Sequence, residues 1–471
     1  MNTQIASVFI YFALLLTIAF WSKKRKNTAT DYMLGGRRMN FLLTAFAAHA
    51  SDASSWLFMG LPAMIFTKGV FNSWMAIGLV FFMFLNWHLI APRVRFATEK
   101  YNSMTFSSFF ESRYADTSGI MRLLTAGMLL MFYTIYISAG VVGLGLLLQS
   151  ILGLPYPLAA FIGLAIIVPY LFAGGYITLA WTDSFQALFL LAVIVGVPLY
   201  ALQFVGGFHG IDTALIKANL STELIPNWSG STLLAIFFAF TGWGLGYFGQ
   251  PHIITKFMGI NDVKNMHKAK YVGVTWQILT FGGAVLIGLI GVALFSNALG
   301  DNELIFVKML DLLFHPFFAG LMLCAVLAAT ISTLDSQILV LATSLTEDFY
   351  KRCFKKDASS EQLVRISRLF VVLIALAAYA IATMRISTIY GLVFYAWSGL
   401  GSSFGPLLIA ALFSKKINKY GAFAGIVVGG TVAALWPLTN SEIPTLVIGF
   451  AASFAALYLV SWRTRAYSHH E

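Results

Sequence analysis

Long apolar stretches recur along this chain and are separated by short polar connections. A membrane-spanning helix needs about 20 predominantly apolar residues, and the pattern predicts thirteen such spans. They cover residues 5–22, 40–66, 72–91, 122–150, 157–175, 183–205, 231–250, 271–297, 316–346, 366–384, 388–413, 421–437 and 444–462. Of the 471 residues, 59% are hydrophobic and 10% are charged, which excludes an ordinary soluble domain. The predicted fold class is therefore an all-α polytopic membrane protein.

The basic residues are distributed unevenly between the connections. If the N-terminus is outside and the spans alternate, 26 of the 30 Lys and Arg residues fall in predicted inner segments, and only Lys68, Lys217, Lys308 and Arg385 fall outside. Cytoplasmic loops of membrane proteins carry such an excess. We therefore interpret the net charge of +11 as an orientation signal rather than a sign of nucleic-acid binding. It predicts a membrane protein with a cytoplasmic C-terminus.

The ends and connections of the chain indicate one transmembrane domain, residues 1–471. Four basic residues at 23–26 follow the first apolar run, whereas a cleaved signal peptide has its charges before that run. We therefore expect residues 5–22 to remain as an extra first helix. None of the connections is long enough for a soluble domain, but residues 105–114 and 303–313 are predicted to form short surface helices.

Two predicted spans are interrupted by residues that disfavour a regular helix. In the first, HASDASSWLFMGLP at 49–62 places the carboxylate of Asp52 among serines and ahead of Pro62. In the second, TGWGLGYFGQP at 241–251 holds four glycines in eleven residues. Glycine and proline both weaken a helix interior. Interrupted helices in corresponding places of two halves are a sequence sign of a transporter's binding site.

The interruptions also suggest an internal repeat. Each begins a set of five predicted spans, residues 40–205 and 231–413, and an odd number of helices inverts the second set relative to the first. Two additional helices follow at 421–462. The alternatives are that Asp52 is a satisfied polar residue between helices and that the glycines serve close helix packing.

The ninth span carries small and hydroxyl residues at i, i+3, i+4 and i+7, on one helix face. These residues are Ala329, Ser332, Thr333 and Ser336. Hard cations prefer oxygen ligands, and a weakly held sodium ion needs few formal charges. Hydroxyls of this face, with the carbonyls of Ala50 and Ala53 in the first interruption, would suffice. The alternative is that each hydroxyl bonds to a carbonyl one turn earlier in its own helix.

Three motifs resemble the sodium:solute symporter family, and bacterial sodium/proline symporters within it. They are ASDASSWLFMGLP at 50–62, GWGLGYFGQPHI at 242–253, and ATISTLDSQ with TEDFY between 329 and 350. The resemblance implies a LeuT-type inverted five-helix repeat with one extra helix before it and two after. It implies sodium-coupled import of a small zwitterion, with L-proline the expected solute, by alternating access. Another amino acid, a betaine or a carboxylate is the alternative solute, and a channel is the alternative class.

The resemblance also implies roles for residues at matching positions. The sodium site would comprise Ala50, Ala53, Ala329, Ser332 and Thr333. Asp52 would serve coupling and Arg37 the inner gate. The residues at or lining the solute pocket would be Ser54, Trp56, Tyr136, Trp243, Tyr247 and Pro251. Aromatic faces can cover the ring of proline and attract its ammonium group, and amides of a broken helix can hold its carboxylate.

Asp335 departs from the family, in which small hydroxyl residues are usual at this position. It is assigned to coupling or gating together with Asp183, at the inner end of the sixth span. Like charges held close in a low-dielectric site need a cation or a shared proton. The two carboxylates would therefore hold either a second sodium ion or a shared proton between them. The alternative is two independent, solvated carboxylates, with Asp183 capping a helix.

An enzyme is not predicted, because no nucleophile–base pair, phosphate loop or metal motif is visible. The two cysteines, Cys324 and Cys353, lack metal-ligand spacing. We therefore expect no catalytic residue and no transition metal. The resemblance implies sodium as the coupling ion and the plasma membrane (the bacterial inner membrane) as the location. The expected partners are the small solute and membrane lipid, with no nucleic acid, and the chain is expected to function as a monomer.

Overall fold

The computed structural model describes residues 2–21, 34–173, 176–296, 299–352 and 354–465. The basic run at 23–26, Cys353 and the tail after 465 lie outside these residues. The α-helices are, in chain order, α1 Asn2–Trp21, α2 Phe41–Asp52, α3 Leu61–Lys68, α4 Ser73–Leu85, α5 Ala91–Lys100, α6 Phe106–Arg113, α7 Ile120–Leu152, α8 Tyr156–Ala173, α9 Tyr176–Ala201, α10 Gly207–Lys217, α11 Gly230–Gly244, α12 Pro251–Met258, α13 Met266–Phe295, α14 Ile305–Leu313, α15 Pro316–Ser344, α16 Ser360–Met384, α17 Ile389–Phe413, α18 Lys419–Leu435 and α19 Thr445–Arg463.

The all-helical fold class is confirmed. Within the described residues, extended pairing is limited to two isolated bridges, Met39 with Ile260 and Gly69 with Ser221. Ten helices of the described part are long and apolar enough to cross a membrane, and three shorter apolar helices accompany them. The chain is thus an integral membrane protein, and the count of thirteen spans stays a prediction.

The first interruption is a real break in the helix. α2 ends at Asp52, and Ala53 has extended backbone angles (φ −83°, ψ 90°). A wide helical turn, Trp56–Gly60, then leads into α3. Pro62 is tolerated as the second residue of α3, where a backbone donor would have no partner in its own helix.

The second interruption follows α11. A tight turn, Leu245–Gly249, leads to Gln250, which is extended (φ −94°, ψ 101°), and Pro251 opens α12. The glycines permit close contact with α17: a Cβ on Gly246 would lie 1.9 Å from the indole nitrogen of Trp397. Close packing, the alternative reading of these glycines, and the break therefore occur together.

α15 lies at the centre of the bundle, in contact with α1, α2, α7 and α9. Almost all of its residues from Ala319 to Ser344 are buried. Helix α10 was not expected from the sequence. Helices formed at both predicted short segments. α14 buries an apolar face with Phe306 and Val307 and exposes Lys308, Asp311 and Leu312 on the other side.

Candidate ion and solute site

The break after α2 meets the middle of α15 through two hydroxyl groups. Ser332 Oγ donates to the carbonyl oxygens of Ala50 and Ala329, at 2.9 and 3.0 Å. Thr333 Oγ1 lies 3.4 and 3.1 Å from the same two oxygens. All four residues are buried. The back bonds to Ala329 that the alternative reading expects are present, but both hydroxyls also reach a second helix.

This arrangement gathers two hydroxyl and two carbonyl oxygens. Ala53, the first non-helical residue after α2, brings a further carbonyl to the same break. A hydroxyl has lone pairs that can turn toward a cation, and neutral oxygens suit an ion that must also be released. The donor set therefore fits the predicted sodium site chemically.

Asp52 is held by the second break. Its Oδ2 accepts a hydrogen bond of 2.7 Å from the hydroxyl of Tyr247, and that hydroxyl accepts one of 2.7 Å from Gln277 Nε2. Asn86 Nδ2 donates to the backbone carbonyl of Tyr247 at 3.1 Å. Asp52 Oδ1 is buried without a hydrogen-bond partner among the described residues. The two interrupted helices are thus joined directly, through a carboxylate that keeps one free oxygen.

Two of the predicted pocket rings contact each other. Trp56 and Trp243 stack with ring centroids 5.4 Å apart and planes 25° apart. Trp56 Nε1 donates to the carbonyl of Asp52 at 3.1 Å, and Trp243 Nε1 donates to Tyr390 Oη at 3.0 Å. These indoles therefore close one side of the space around Asp52.

Tyr136, Pro251 and Ser54 are also buried near the breaks. Tyr136 lies edge-on to the ring of His252 at 5.8 Å, and its hydroxyl has no partner among the described residues. Pro251 opens α12, and the next backbone N–H, of His252, donates to Tyr133 Oη at 2.9 Å. This amide is therefore already engaged rather than free for a carboxylate.

Arg37 connects three segments at the end of the molecule predicted to be inner. Its Nη1 donates to Thr98 Oγ1 at 3.2 Å and to the Met258 carbonyl at 3.1 Å. Its Nη2 donates to the carbonyls of Thr98 and Ser103, at 3.1 and 3.0 Å. The guanidinium thereby ties the end of α12 to α5, as a gate contact requires.

Asp183 and Asp335 are both fully buried, so the alternative of two solvated carboxylates does not hold. Asp183 is not a helix cap, because α9 begins two turns earlier at Tyr176. Its Oδ2 pairs with Lys256 Nζ at 2.9 Å. The charge count placed Lys256 in an inner connection, but its side chain is buried in α12.

Sequence reasoning missed several residues that hold the site. The amides of Asn86 and Gln277 were detectable only as isolated polar residues in apolar spans. Glu303, in the turn before α14, accepts hydrogen bonds from the first two backbone N–H groups of α17, Ile389 and Tyr390, at 3.2 and 3.1 Å. Burial raises the pKa of the Glu303 carboxyl, and the two backbone donors offset part of this rise.

An all-helical bundle with two broken helices that meet at buried oxygens and a buried carboxylate defines a membrane transporter. The chain belongs to the sodium:solute symporter family, which it matches over residues 32–429. It is a transporter, not an enzyme, and its coupling ion is sodium.

Curated relatives are similar along almost the whole chain. The high-affinity proline transporter PutP of Bacillus subtilis (strain 168) is 40% identical over 458 residues, 96% of each chain. The sodium/proline symporter of Escherichia coli (strain K12) is 38% identical over 435 residues, 91% of this chain and 86% of the relative.

Solved structures share the fold. A sodium-coupled sialic acid symporter in a substrate-bound outward-open state superposes with a TM-score of 0.83 at 19% identity, over 98% of both chains. MhsT in complex with L-phenylalanine superposes with a TM-score of 0.58 at 14% identity, over 89% of this chain and 98% of MhsT.

Proposed function

We propose that this protein imports L-proline together with sodium by alternating access. The observation that carries the proposal is the contact between the two breaks and α15. Hydroxyls of Ser332 and Thr333 meet the Ala50 carbonyl, and Asp52, two residues further on, bonds to Tyr247. A cation held at one end of this contact therefore acts on the side chains at the other. Curated relatives named as proline transporters at 35–40% identity support the choice of solute.

The sodium ion would bind between α2 and α15. Its ligands would be the carbonyls of Ala50, Ala53 and Ala329 and the hydroxyls of Ser332 and Thr333. Binding requires the two hydroxyls to direct lone pairs at the ion, while their hydrogens turn elsewhere. Because every proposed ligand is neutral, the ion is held by dipoles alone and can be released to the cytoplasm.

The solute would bind beside Asp52, between the two breaks. The free Oδ1 of Asp52 is a buried acceptor that suits the secondary ammonium of proline. Trp56, Trp243 and Tyr136 offer faces for the pyrrolidine ring. Ser54 and Pro251 border this space on the two broken helices. Trp243 would have to swing away from Trp56 to admit the solute, so their stack is proposed as the outer gate.

Arg37 would form the inner gate. It holds the last carbonyl of α12, that of Met258, against α5. Release of solute and ion to the cytoplasm would require these hydrogen bonds to break. Asp183 and Asp335 would act in coupling.

The architecture is proposed to have thirteen spans: an extra helix at 5–22, inverted repeats at 40–205 and 231–413, and two helices at 421–462. The N-terminus would face outward and the C-terminus the cytoplasm of a bacterium, in the inner membrane. We propose that a monomer surrounded by lipid is the functional unit. Labelling of single cysteines from each side of the membrane tests the orientation.

Uptake into proteoliposomes tests the function. With labelled L-proline outside, an inward sodium gradient should drive accumulation above equilibrium, and an equal potassium gradient should not. Unlabelled proline should compete for uptake, whereas other amino acids, betaines and carboxylates at the same concentration should compete poorly. Accumulation without a sodium gradient would refute coupling, and stronger competition by another solute would replace proline as the substrate.

A further inference from the structure

A lysine is buried in the second half of a broken helix. Lys256 lies in α12, and only 3% of the residue is exposed. Lysine is almost never fully buried unless it is paired. Its Nζ lies 2.9 Å from Oδ2 of Asp183 on α9 and 5.4 Å from the ring centroid of Tyr176. The ammonium therefore sits in the protein interior and depends on a carboxylate from another helix.

A second carboxylate belongs to the same cluster. Asp335 projects from α15, is fully buried, and lies close enough for its charge to interact with both Asp183 and Lys256. Its Oδ1 accepts a hydrogen bond from Ser336 Oγ at 3.3 Å. Asp335 Oδ2 and Asp183 Oδ1 are buried without hydrogen-bond partners among the described residues. The ion pair and a second buried carboxylate thus lie in one interior region, where α15 packs against α9 and α12.

The ammonium has room at this position. A cavity of about 40 Å³ is lined by Lys256, Tyr176 and Ser336, among other residues. A pair of buried carboxylates is the ligand type that a hard monovalent or divalent cation uses. Leaving a buried charge without a counter-charge costs several kcal/mol. Either a cation or a proton must therefore neutralise these carboxylates, and the chain supplies a cation itself.

We propose that Lys256 is a tethered cation that fills the site formed by Asp183 and Asp335, where a second sodium ion would otherwise bind. This proposal rests on the proposed sodium-coupled transport. The Ser332 and Thr333 site then holds the only sodium ion that travels with the solute. The tethered ammonium cannot leave, and it anchors α12 to α9 by its bond with Asp183.

The count of bound sodium ions tests this assignment without any solute. Purified protein is equilibrated with ²²Na⁺, with choline as the replacement cation. Wild type is expected to bind one ion per chain. Lys256→Met removes the ammonium and should bind two, and Lys256→Arg should bind one. The matched control Asp183→Asn with Lys256→Met removes both members of the ion pair and should return the count to one.

Three results would overturn the proposal. One is a wild-type count of two. Another is a folded Lys256→Met variant with the wild-type count. The third is a Lys256→Met variant that fails to fold even in high sodium, because sodium then does not replace the ammonium. Absence of sodium-driven proline uptake by wild type would instead refute the proposed function, and the two failures are therefore distinguishable.

Discussion

The hydroxyl of Tyr247 forms the hydrogen bond that joins the two broken helices at Asp52. Tyr247→Phe deletes the 2.7 Å bond to Asp52 Oδ2 and the 2.7 Å bond from Gln277. It keeps the edge-to-face packing of the ring on Trp397, 5.1 Å between centroids. It also keeps the backbone carbonyl that Asn86 bonds. The variant therefore isolates the hydrogen bonds from the packing.

The expected size of the effect follows from the hydrogen bonds of the Asp52 carboxylate. A hydrogen bond to a charged group contributes about 1.5–3 kcal/mol, and every 1.4 kcal/mol is about tenfold in an equilibrium constant. Asp52 Oδ1 already lacks a partner among the described residues, so the variant leaves a buried carboxylate with none of its side-chain bonds. We expect the half-saturating sodium concentration for uptake to rise about ten- to a hundred-fold.

Uptake of labelled proline into proteoliposomes, measured against sodium concentration, is the assay. The matched control is Tyr379→Phe, which removes a hydroxyl bonded to the Pro157 carbonyl at 3.1 Å, remote from the site. A double-mutant cycle with Asp52→Asn should give a coupling energy of about 1.5 kcal/mol or more between the two side chains. Half-saturation within twofold of wild type for Tyr247→Phe would refute the idea that this bond carries coupling.

Three further substitutions test the other parts of the site. Ser332→Ala with Thr333→Ala should raise half-saturating sodium far more than it lowers protein abundance. Thr330→Ala, which removes a hydroxyl bonded to the Val326 carbonyl of its own helix, should not raise it. Equal sodium dependence of wild type and the double variant would exclude this ion site. Trp243→Ala should weaken proline binding several-fold to tens-fold, because a lost cation–π face is worth about 0.5–2 kcal/mol. Binding of ²²Na⁺ should remain measurable. Unchanged proline affinity would show that this ring does not line the pocket. Arg37→Gln should open the inner side of the protein. A cysteine placed in the cavity beside α12 should then react faster with a maleimide. Unchanged labelling would exclude a gating role for Arg37.

Controls for the last two substitutions are available on the surface. Trp462 is 63% exposed, so Trp462→Ala should leave proline affinity within twofold of wild type. Arg93 Nη1 donates to the Leu89 carbonyl one turn earlier, so Arg93→Gln should not change the maleimide labelling. A similar effect in either control would point to general disturbance of the bundle.

The helices and their two breaks could be predicted because each has a local cause. Apolar length gives the spans, and Ala53 and Gln250 became extended where serines, glycines and proline weaken the helix. The connections were less predictable. Helix α10 was not expected from the sequence, and the packing of the apolar face of α14 into the bundle depends on the tertiary arrangement.

The candidate site could likewise be predicted only in part from the sequence. The ion-site residues of α15 share a helix face, so their grouping follows from the 3.6-residue period. The bonds of Tyr247 to Asp52 and Gln277 span 195 and 30 positions, and no periodicity relates residues so far apart. Lys256 was hidden for another reason: a basic residue near the end of a span has the pattern of an orientation signal, whether it is buried or solvated.

A short path of contacts between the two proposed binding sites explains how one ligand can affect the other. Ala50, which the proposed sodium ion would draw toward α15, is followed two residues later by Asp52 at the end of the same helix. A shift of this carbonyl therefore moves the carboxylate. The carboxylate is bonded to Tyr247, in the turn that directly follows the helix of Trp243. Trp56 is fixed to the backbone of Asp52 by its indole N–H and stacks on Trp243, which closes a loop of contacts around the solute space.

Because coupling between two binding equilibria is reciprocal, any factor by which sodium tightens proline binding must equal the factor by which proline tightens sodium binding. In Tyr247→Phe both coupling factors should fall together. Damage to one site alone would weaken the binding of one ligand and leave the coupling factor unchanged.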